Sequence, residues 1–108
     1  MCALKAIKKL CRAGTAAHES GDVLNAEFHL HQAYIWAKGL NLPVLEAKIL
    51  NTIAVFAIAD HRPTKAVSML HEAREKVEAR VGRNNKLYRI ITDNLVQAKA
   101  AVGRKAAA

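Results

Sequence analysis

The sequence predicts an all-α protein, and three observations support that fold class. About half of the 108 residues are apolar but only 5% are aromatic, and an alanine-rich composition favours close-packed helices over a β-sandwich. The two prolines and five glycines fall mainly at the edges of segments with a helical period. Within these segments apolar residues recur at i, i+3, i+4 and i+7. A chain of this length builds one core, so we expect a single domain over residues 1–103.

Turn residues divide the chain into five predicted helices. Gly21-Asp22 forms a short turn, Pro43 ends a break, and Pro63 stands where a new helix accepts proline in its first turn. Three glycines that follow periodic segments are assigned to the left-handed position that ends a helix: Gly39, Gly82 and Gly103. The predicted helices span residues 3–19, 23–38, 44–59, 63–81 and 85–102. Residues 104–108 are expected to be a flexible tail, either a natural frayed end or residues added in cloning.

Each predicted helix has a face suited to packing. The first helix places Leu4, Ile7 and Leu10 on one face and a run of basic residues on another. The third helix carries the stripe Leu45, Ile49, Leu50, Ile53, Phe56 and Ala57. The fifth helix carries Leu87, Ile91, Leu95, Ala98 and Val102. Because the links between helices are only about three to six residues, successive helices must pack as antiparallel hairpins.

Two helix pairs repeat the same pattern at one constant offset along the chain. The first copy contains Leu10, Ala13, Gly14, Ala17, Ala26, Leu30 and Ala33. The second copy contains, in the same order, Leu50, Ile53, Ala54, Ala57, Ala66, Leu70 and Ala73. In this alternation of small and large residues the chain resembles the tetratricopeptide repeat, although its period is longer than that family's usual period of about 34 residues. The resemblance covers residues 4–102 and implies a short right-handed solenoid of about five helices.

The resemblance also implies a binding groove formed by the first helix of each pair. The residues at the groove positions are Lys8, Arg12, Thr15 and His18 in the first copy, and Lys48, Asn51, Val55 and Ile58 in the second. Cys11 and Val55 stand where a carboxylate clamp would need polar residues, so a groove with a basic end and an apolar floor is the better interpretation. The alternative is that the fifth helix covers Val55 and Ile58.

Two pairs are fewer than the roughly three repeats that a stable solenoid needs. Either the fifth helix caps the stack, or a second copy of the chain supplies the missing neighbour in a homodimer. The residues that decide between these alternatives are Leu87, Ile90, Ile91 and Leu95. Trp36 is predicted to lie in the core, on the side of the second helix that meets the next hairpin.

The net charge of +8 is concentrated in two groups of basic residues. One group comprises Lys5, Lys8, Lys9 and Arg12, and the other comprises Arg80, Arg83, Lys86 and Arg89. Such groups attract phosphates or acidic peptides, although a merely solvated surface is an equally simple explanation. Aromatic residues do not alternate with these basic residues as they do in proteins that bind single strands, which favours an acidic protein partner over nucleic acid.

No motif indicates catalysis, a cofactor or a metal. His29 and His31 point about 160° apart on a helix, and the sequence has no glycine-rich phosphate loop and no recognisable nucleophile. Cys2 and Cys11 lie on opposite sides of a helix and are interpreted as reduced, small apolar residues. The longest apolar run, residues 53–59, is too short to cross a membrane, so we expect a cytoplasmic protein that does not interact with membranes.

The sequence therefore predicts a protein-interaction module and not an enzyme. This module would be a small tetratricopeptide-like adaptor or chaperone that holds a peptide or helix in its groove. The alternative is a basic helical protein that binds nucleic acid or regulates transcription, which only the charge supports.

Overall fold

The computed structural model describes residues 2–107, and within that range every regular element is an α-helix. The helices are α1 (Ala3–Glu19), α2 (Val23–Gly39), α3 (Pro43–Ala59), α4 (Pro63–Val81) and α5 (Lys86–Ala107). The predicted all-α fold is confirmed. The predicted end of the fifth helix is wrong, because α5 continues past residue 102. Residues 104–107, predicted as tail, form its last turn, and Ala108 lies outside the described residues.

The first three connections share one backbone design. Each is three residues long with a left-handed residue in the middle: Gly21 (φ 84°), Asn41 (φ 56°) and His61 (φ 63°). In each, the amide of the third residue donates to a carbonyl five residues back, and that of the middle residue to a carbonyl three residues back. This pair of hydrogen bonds defines the Schellman motif. Because the three helices before these turns are of equal length, the same turn recurs at a constant interval along the chain.

Two of the glycines predicted to take the left-handed position after a helix do not take it. Gly39 is the last residue of α2, and the left-handed position falls two residues later, at Asn41. Gly103 lies inside α5. Gly82 takes a positive φ of 77° immediately after α4, as predicted. Asparagine adopts the left-handed region more readily than most residues, which is why no glycine is needed after α2.

The helix starts agree with their sequence signals. The Asp22 side chain accepts a hydrogen bond from the backbone N–H three residues later and caps α2. Pro43 and Pro63 occupy the first turns of α3 and α4, where a missing N–H leaves no helical bond unmade. Asn85 caps α5 by accepting from the N–H of Tyr88 at 2.8 Å.

The five helices form two layers. α3 packs against α4, is flanked by α5, and meets α1 through side chains near its C-terminal end. α2 and α4 lie in the other layer and are joined by Tyr34, which donates to Glu72, and by Arg62 and Lys65, which pair with Glu27. The shortest dimension of the molecule is 19 Å, which matches two helices of about 10–12 Å diameter.

Small residues let the helices of each hairpin approach closely, as the repeat predicts. Gly14 faces Leu30 so tightly that a Cβ at this position would come within 2.7 Å of the leucine Cγ. Ala54 occupies the equivalent position in the second hairpin and is fully buried. The repeated residues of α2 and α4 are all in the core: Ala26, Leu30, Ala33, Ala66, Leu70 and Ala73.

α5 closes one end of the core. Ile91, Leu95 and Ala98 are buried in the cluster that includes α3 and α4, and Leu87 packs against it. Of the four residues that sequence analysis named as a dimer or cap face, only Ile90 is exposed. The cap alternative therefore describes α5.

The aromatic residues of α2 are placed differently from expectation. The prediction that Trp36 lies in the core is wrong, because its side chain is exposed, as is that of Phe28. Tyr34 is half-buried. Alanines and Leu30 occupy the core side of α2, so its large side chains are left on the outside.

Candidate functional site

The eight predicted groove residues lie on α1 and α3, which share a layer, but only half of them face solvent. Lys8, Arg12, Lys48 and Val55 are exposed. α3 packs against α4 and α2, is flanked by α5, and meets His18 of α1 near its C-terminal end, while Lys48 and Val55 lie on its exposed side. These four residues can contact a partner without any rearrangement.

The other four groove residues either contact a neighbouring helix or are partly buried. The His18 ring stacks on Phe56 with centroids 3.9 Å apart, and its Nε2 lies 3.0 Å from an Asp60 carboxylate oxygen. His18 therefore joins the ends of α1 and α3. Asn51 accepts a hydrogen bond from Asn94 of α5 at 2.9 Å.

Thr15 and Ile58 are half-buried. Ile58 packs against the core and lines a cavity of about 500 Å³ with Ala101 and Arg104 of α5. The alternative in which α5 covers the groove floor therefore applies only in part to Ile58. It does not hold for Val55, which is 39% exposed.

We call the exposed side of this layer the basic face, and it is built on α1 and α3. Its members are Lys5, Lys8, Lys9 and Arg12 of α1 with Lys48 and Val55 of α3, and all are exposed. α1 has no acidic residue before Glu19 at its end. The structure therefore brings the first predicted basic group and the exposed half of the predicted groove onto one surface.

The cations of the basic face form no ion pair with any of the residues that the structure describes. In residues 2–107, the lysines and arginines that form ion pairs are Arg62, Lys65, Lys76 and Arg83, none of which belongs to α1 or α3. Unpaired cations of one sign on one surface sum to a positive potential that attracts anionic groups. The basic face therefore carries a positive charge that no acidic side chain of residues 2–107 pairs with.

The second predicted basic group is more dispersed. Arg80 lies in the last turn of α4, Arg83 in the following loop, and Lys86 and Arg89 in the first turn of α5. Arg83 donates to Glu78 at 2.7 Å. Because one of its four cations is already paired, this group is a weaker candidate for ligand binding.

The surface beside Arg12 is shallow. A depression of about 280 Å³ is lined by Cys11, Arg12, Thr15, Ala16 and Glu19. Partial burial raises the pKa of the Cys11 thiol, which keeps it protonated and unreactive at neutral pH. An open, shallow surface of this kind suits an extended or helical segment better than a small molecule, which needs an enclosed pocket.

A partly buried polar cluster, which the sequence did not reveal, lies where α2, α3 and α4 meet. Glu46 in the first turn of α3 is only 4% exposed, and Lys76 of α4 donates to it at 3.3 Å. Tyr34 donates to Glu72 at 2.7 Å. Partial burial, the hydrogen bond to Glu72 and the charges of Glu72 and Glu46 raise the pKa of Tyr34 to about 12. These two hydrogen bonds join α2 to α4 and α4 to α3.

The described residues offer no other chemistry of note. Residues 2–107 contain no group of histidine, cysteine, aspartate or glutamate side chains that could hold a metal ion. No helix in that range has the length and apolarity needed to cross a membrane. Comparison of the chain with known family models, curated proteins and solved structures gives no match. The site must therefore be interpreted from its own geometry.

Proposed function

We propose that this protein is an interaction module that binds an acidic, amphipathic segment of a partner protein on its basic face. The observation that carries the proposal is the set of unpaired cations on α1 beside Lys48 and the exposed Val55 of α3. Carboxylates of the partner would meet the cations, and apolar side chains would contact Val55. A small adaptor or chaperone role follows from this kind of binding.

The architecture supports the same proposal. The sequence repeat and the two layers of helices are typical of a short tetratricopeptide-like solenoid, with α5 as its cap. In such a solenoid the first helices of the pairs line the partner-binding surface, and here these helices carry the basic face. The outer positions of α1 and α3 are not needed for the core, so their residues are free to serve binding.

Nucleic acid is the competing ligand for a basic surface, and one feature weighs against it. The exposed aromatic residues Phe28 and Trp36 lie on α2, in the other layer, so bases have no stacking platform beside the cations. Phosphate contacts alone would give binding that falls steeply with salt. An apolar contribution from Val55 would make peptide binding less sensitive to salt.

The proposal is tested with a fluorescein-labelled synthetic helix that carries glutamates on one face and leucines on the other. A peptide of equal composition with scattered leucines serves as the ligand control. We expect fluorescence anisotropy to show micromolar binding of the amphipathic peptide and at least about tenfold weaker binding of the scattered one. A single-stranded and a double-stranded oligonucleotide of equal charge are measured under the same conditions.

Matched variants localise the binding. Lys8→Gln with Arg12→Gln should weaken peptide binding about tenfold or more, whereas Lys86→Gln with Arg89→Gln makes the same change in net charge on α5 and should have less than about a threefold effect. Val55→Asp should also weaken binding, and Val96→Asp on α5 should not. Tighter binding of an oligonucleotide, unaffected by Val55→Asp, would replace the peptide proposal with the nucleic-acid one.

A further inference from the structure

Three exposed large apolar residues lie on one side of α2. Leu24 is 81% exposed, Phe28 57% and Ile35 48%, and His31 between them is also exposed. Successive members are separated by four, three and four residues, the spacing that places side chains in one line along a helix. We call Leu24, Phe28, His31 and Ile35 the α2 stripe.

The core does not explain the α2 stripe. The core side of α2 is formed by Ala26, Leu30, Ala33 and Ala37, which are almost completely buried. The stripe lies on the opposite side of the helix, where Leu24, Phe28 and His31 border a depression of about 320 Å³ that Lys65 and Met69 of α4 also line. Spacing of four and three residues is what two helices use when they pack side by side, so the stripe has the geometry of a helix-packing surface without a helix on it.

We propose that the α2 stripe is the interface of a homodimer, in which α2 of one copy packs antiparallel against α2 of a second copy. Two further observations support a second copy as the occupant. One is the distribution of charge, and the other is the area that the stripe can bury.

The charge distribution favours α2 as the helix where two copies can approach. The chain carries a formal +8, with four basic residues and one acidic residue on α1 and five basic residues and one acidic residue on α5. α2 carries one of each, Glu27 and Lys38, and Glu27 is already paired with Arg62 and Lys65. α3 is equally neutral but lies between the basic helices α1 and α5. α2 itself therefore contributes little to the repulsion between two positively charged copies, and the cations nearest the stripe are Lys38 and Lys65.

The orientation follows from Lys38. It lies three residues after Ile35, where the line of the stripe continues. In a parallel pair the two Lys38 side chains would face each other, whereas in an antiparallel pair each one lies beside Leu24 of the other copy. In an antiparallel pair the two helix dipoles also run in opposite directions, which is the favourable arrangement for neighbouring dipoles. His31 is midway between Leu24 and Lys38, so the two-fold axis passes close to His31.

The area is sufficient for a weak, specific dimer. The exposed fractions of Leu24, Phe28 and Ile35 amount to almost two fully exposed large side chains, or roughly 370 Å² per copy at about 200 Å² each. Two copies would bury at most roughly 750 Å² of apolar area, if all three side chains were covered completely. At about 65% apolar, as in homodimer interfaces, the total is roughly 1,150 Å², just above the approximately 1,000 Å² that a specific interface requires.

This dimer is independent of the proposed function. The α2 stripe and the basic face lie in opposite layers of the molecule, so dimer formation leaves both basic faces open to solvent. Failure of the dimer would leave peptide binding untouched, and failure of peptide binding would leave the dimer untouched.

The first test is sedimentation equilibrium of the full chain over a range of concentrations. We expect the mass to rise from 11.8 kDa to twice that value with a micromolar dissociation constant. Phe28→Glu should weaken association about a hundredfold or more, because it places a charge in each half of the interface. Val96→Glu makes the same kind of change at an apolar residue of α5 that is 63% exposed, and should leave the dissociation constant unchanged within about threefold.

Circular dichroism of each variant checks that the helices are retained. The mass of a single chain at every concentration would overturn the dimer. Equal effects of Phe28→Glu and Val96→Glu would also overturn it, because association would then not involve the α2 stripe. A complex that forms only with another protein would likewise remove the second copy as the occupant.

The second test fixes the orientation by disulfide crosslinking in a chain with Cys2→Ser and Cys11→Ala, with diamide as the oxidant. In the antiparallel pair, position 31 of one copy lies next to position 31 of the other, so the His31→Cys variant should crosslink readily. Leu24→Cys is seven residues from the axis, which separates the two copies of that position by about 21 Å at about 1.5 Å per residue. A disulfide needs Cα atoms less than about 7 Å apart, so Leu24→Cys should not crosslink. Crosslinking of Leu24→Cys without that of His31→Cys would refute the antiparallel arrangement.

Discussion

Replacement of Lys76 by methionine tests whether the buried pair with Glu46 holds α3 and α4 together. The side chain of Glu46 is 5% exposed and that of Lys76 is 25% exposed, with 3.3 Å between the charged atoms. Methionine keeps most of the aliphatic packing of lysine and removes its charge. The variant therefore leaves a carboxylate in the interior with no cation beside it.

The expected loss of stability can be worked from this geometry. Removal of one partner from a fully buried pair costs about 3–5 kcal/mol. Because a quarter of the Lys76 side chain is in contact with water, solvent already screens part of the interaction, and we expect a loss of about 2–3 kcal/mol. For a domain of this size that corresponds to a decrease in Tm of about 10–15 °C.

Thermal unfolding followed by circular dichroism measures the effect. Lys99→Met, at an exposed lysine of α5, is the control and should change the Tm by less than about 2 °C. The double variant Glu46→Gln with Lys76→Met removes both charges and should recover at least half of the loss. If Lys76→Met unfolds at the same temperature as the unchanged protein, or if the double variant is no more stable than the single one, the pair does not stabilise the fold.

Three further predictions concern the turns and the helix contacts. Gly14→Ala should lower the free energy of unfolding by about 1–2 kcal/mol in urea titrations, because the gain in helix propensity is smaller than the strain of a Cβ 2.7 Å from Leu30; a stabilised variant would show that α1 and α2 can move apart. His61→Gly should raise the free energy of unfolding by about 0.5–1 kcal/mol, and with it the Tm, because glycine adopts a φ of 63° without strain. An unchanged Tm would mean that the turn is not strained. The hydrogen bond from Tyr34 to Glu72 should make alkaline unfolding steeper: with the pKa raised to about 12, its stabilisation is present below about pH 10 and is lost as the pH rises toward 12. The Tyr34→Phe variant should be less stable by under about 1 kcal/mol at neutral pH, since the hydroxyl is largely exposed, and its difference from the unchanged protein should vanish by about pH 12.

The sequence was sufficient to predict the helices but not all of their ends. Pro43, Pro63 and the Gly21-Asp22 turn are strong local signals, and the helices begin where they indicate. The left-handed residues Asn41 and His61 were missed because neither is a glycine. Only the constant spacing of the turn, from Gly21 to Asn41 to His61, reveals them.

The buried side of a helix could be predicted where small residues repeat along it. It could not be predicted where large apolar residues occur on all sides of the helix. In α2 apolar residues occur on both sides, so periodicity cannot tell which side is buried. The structure buries the alanines and exposes Phe28 and Trp36. Glu46 was missed for the related reason that its cation, Lys76, is 30 residues away in the sequence.

The basic residues of the candidate site could be predicted from the sequence, but the contacts of its other residues could not. Sequence spacing placed the basic residues of α1 on one face, and they are all exposed. It could not show that His18 stacks on Phe56 or that Asn51 is bonded to α5. Such contacts depend on how neighbouring helices are aligned, which the spacing within one helix does not determine.

The most direct test of the proposed function is an amide chemical-shift titration of the isotope-labelled protein with the acidic amphipathic peptide. We expect the largest shifts along the outer sides of α1 and α3, centred on Lys8, Arg12, Lys48 and Val55, and little change at Lys86 or Arg89. Shifts confined to α4 and α5, or no shifts at concentrations well above micromolar, would contradict the proposal that the basic face is the binding surface.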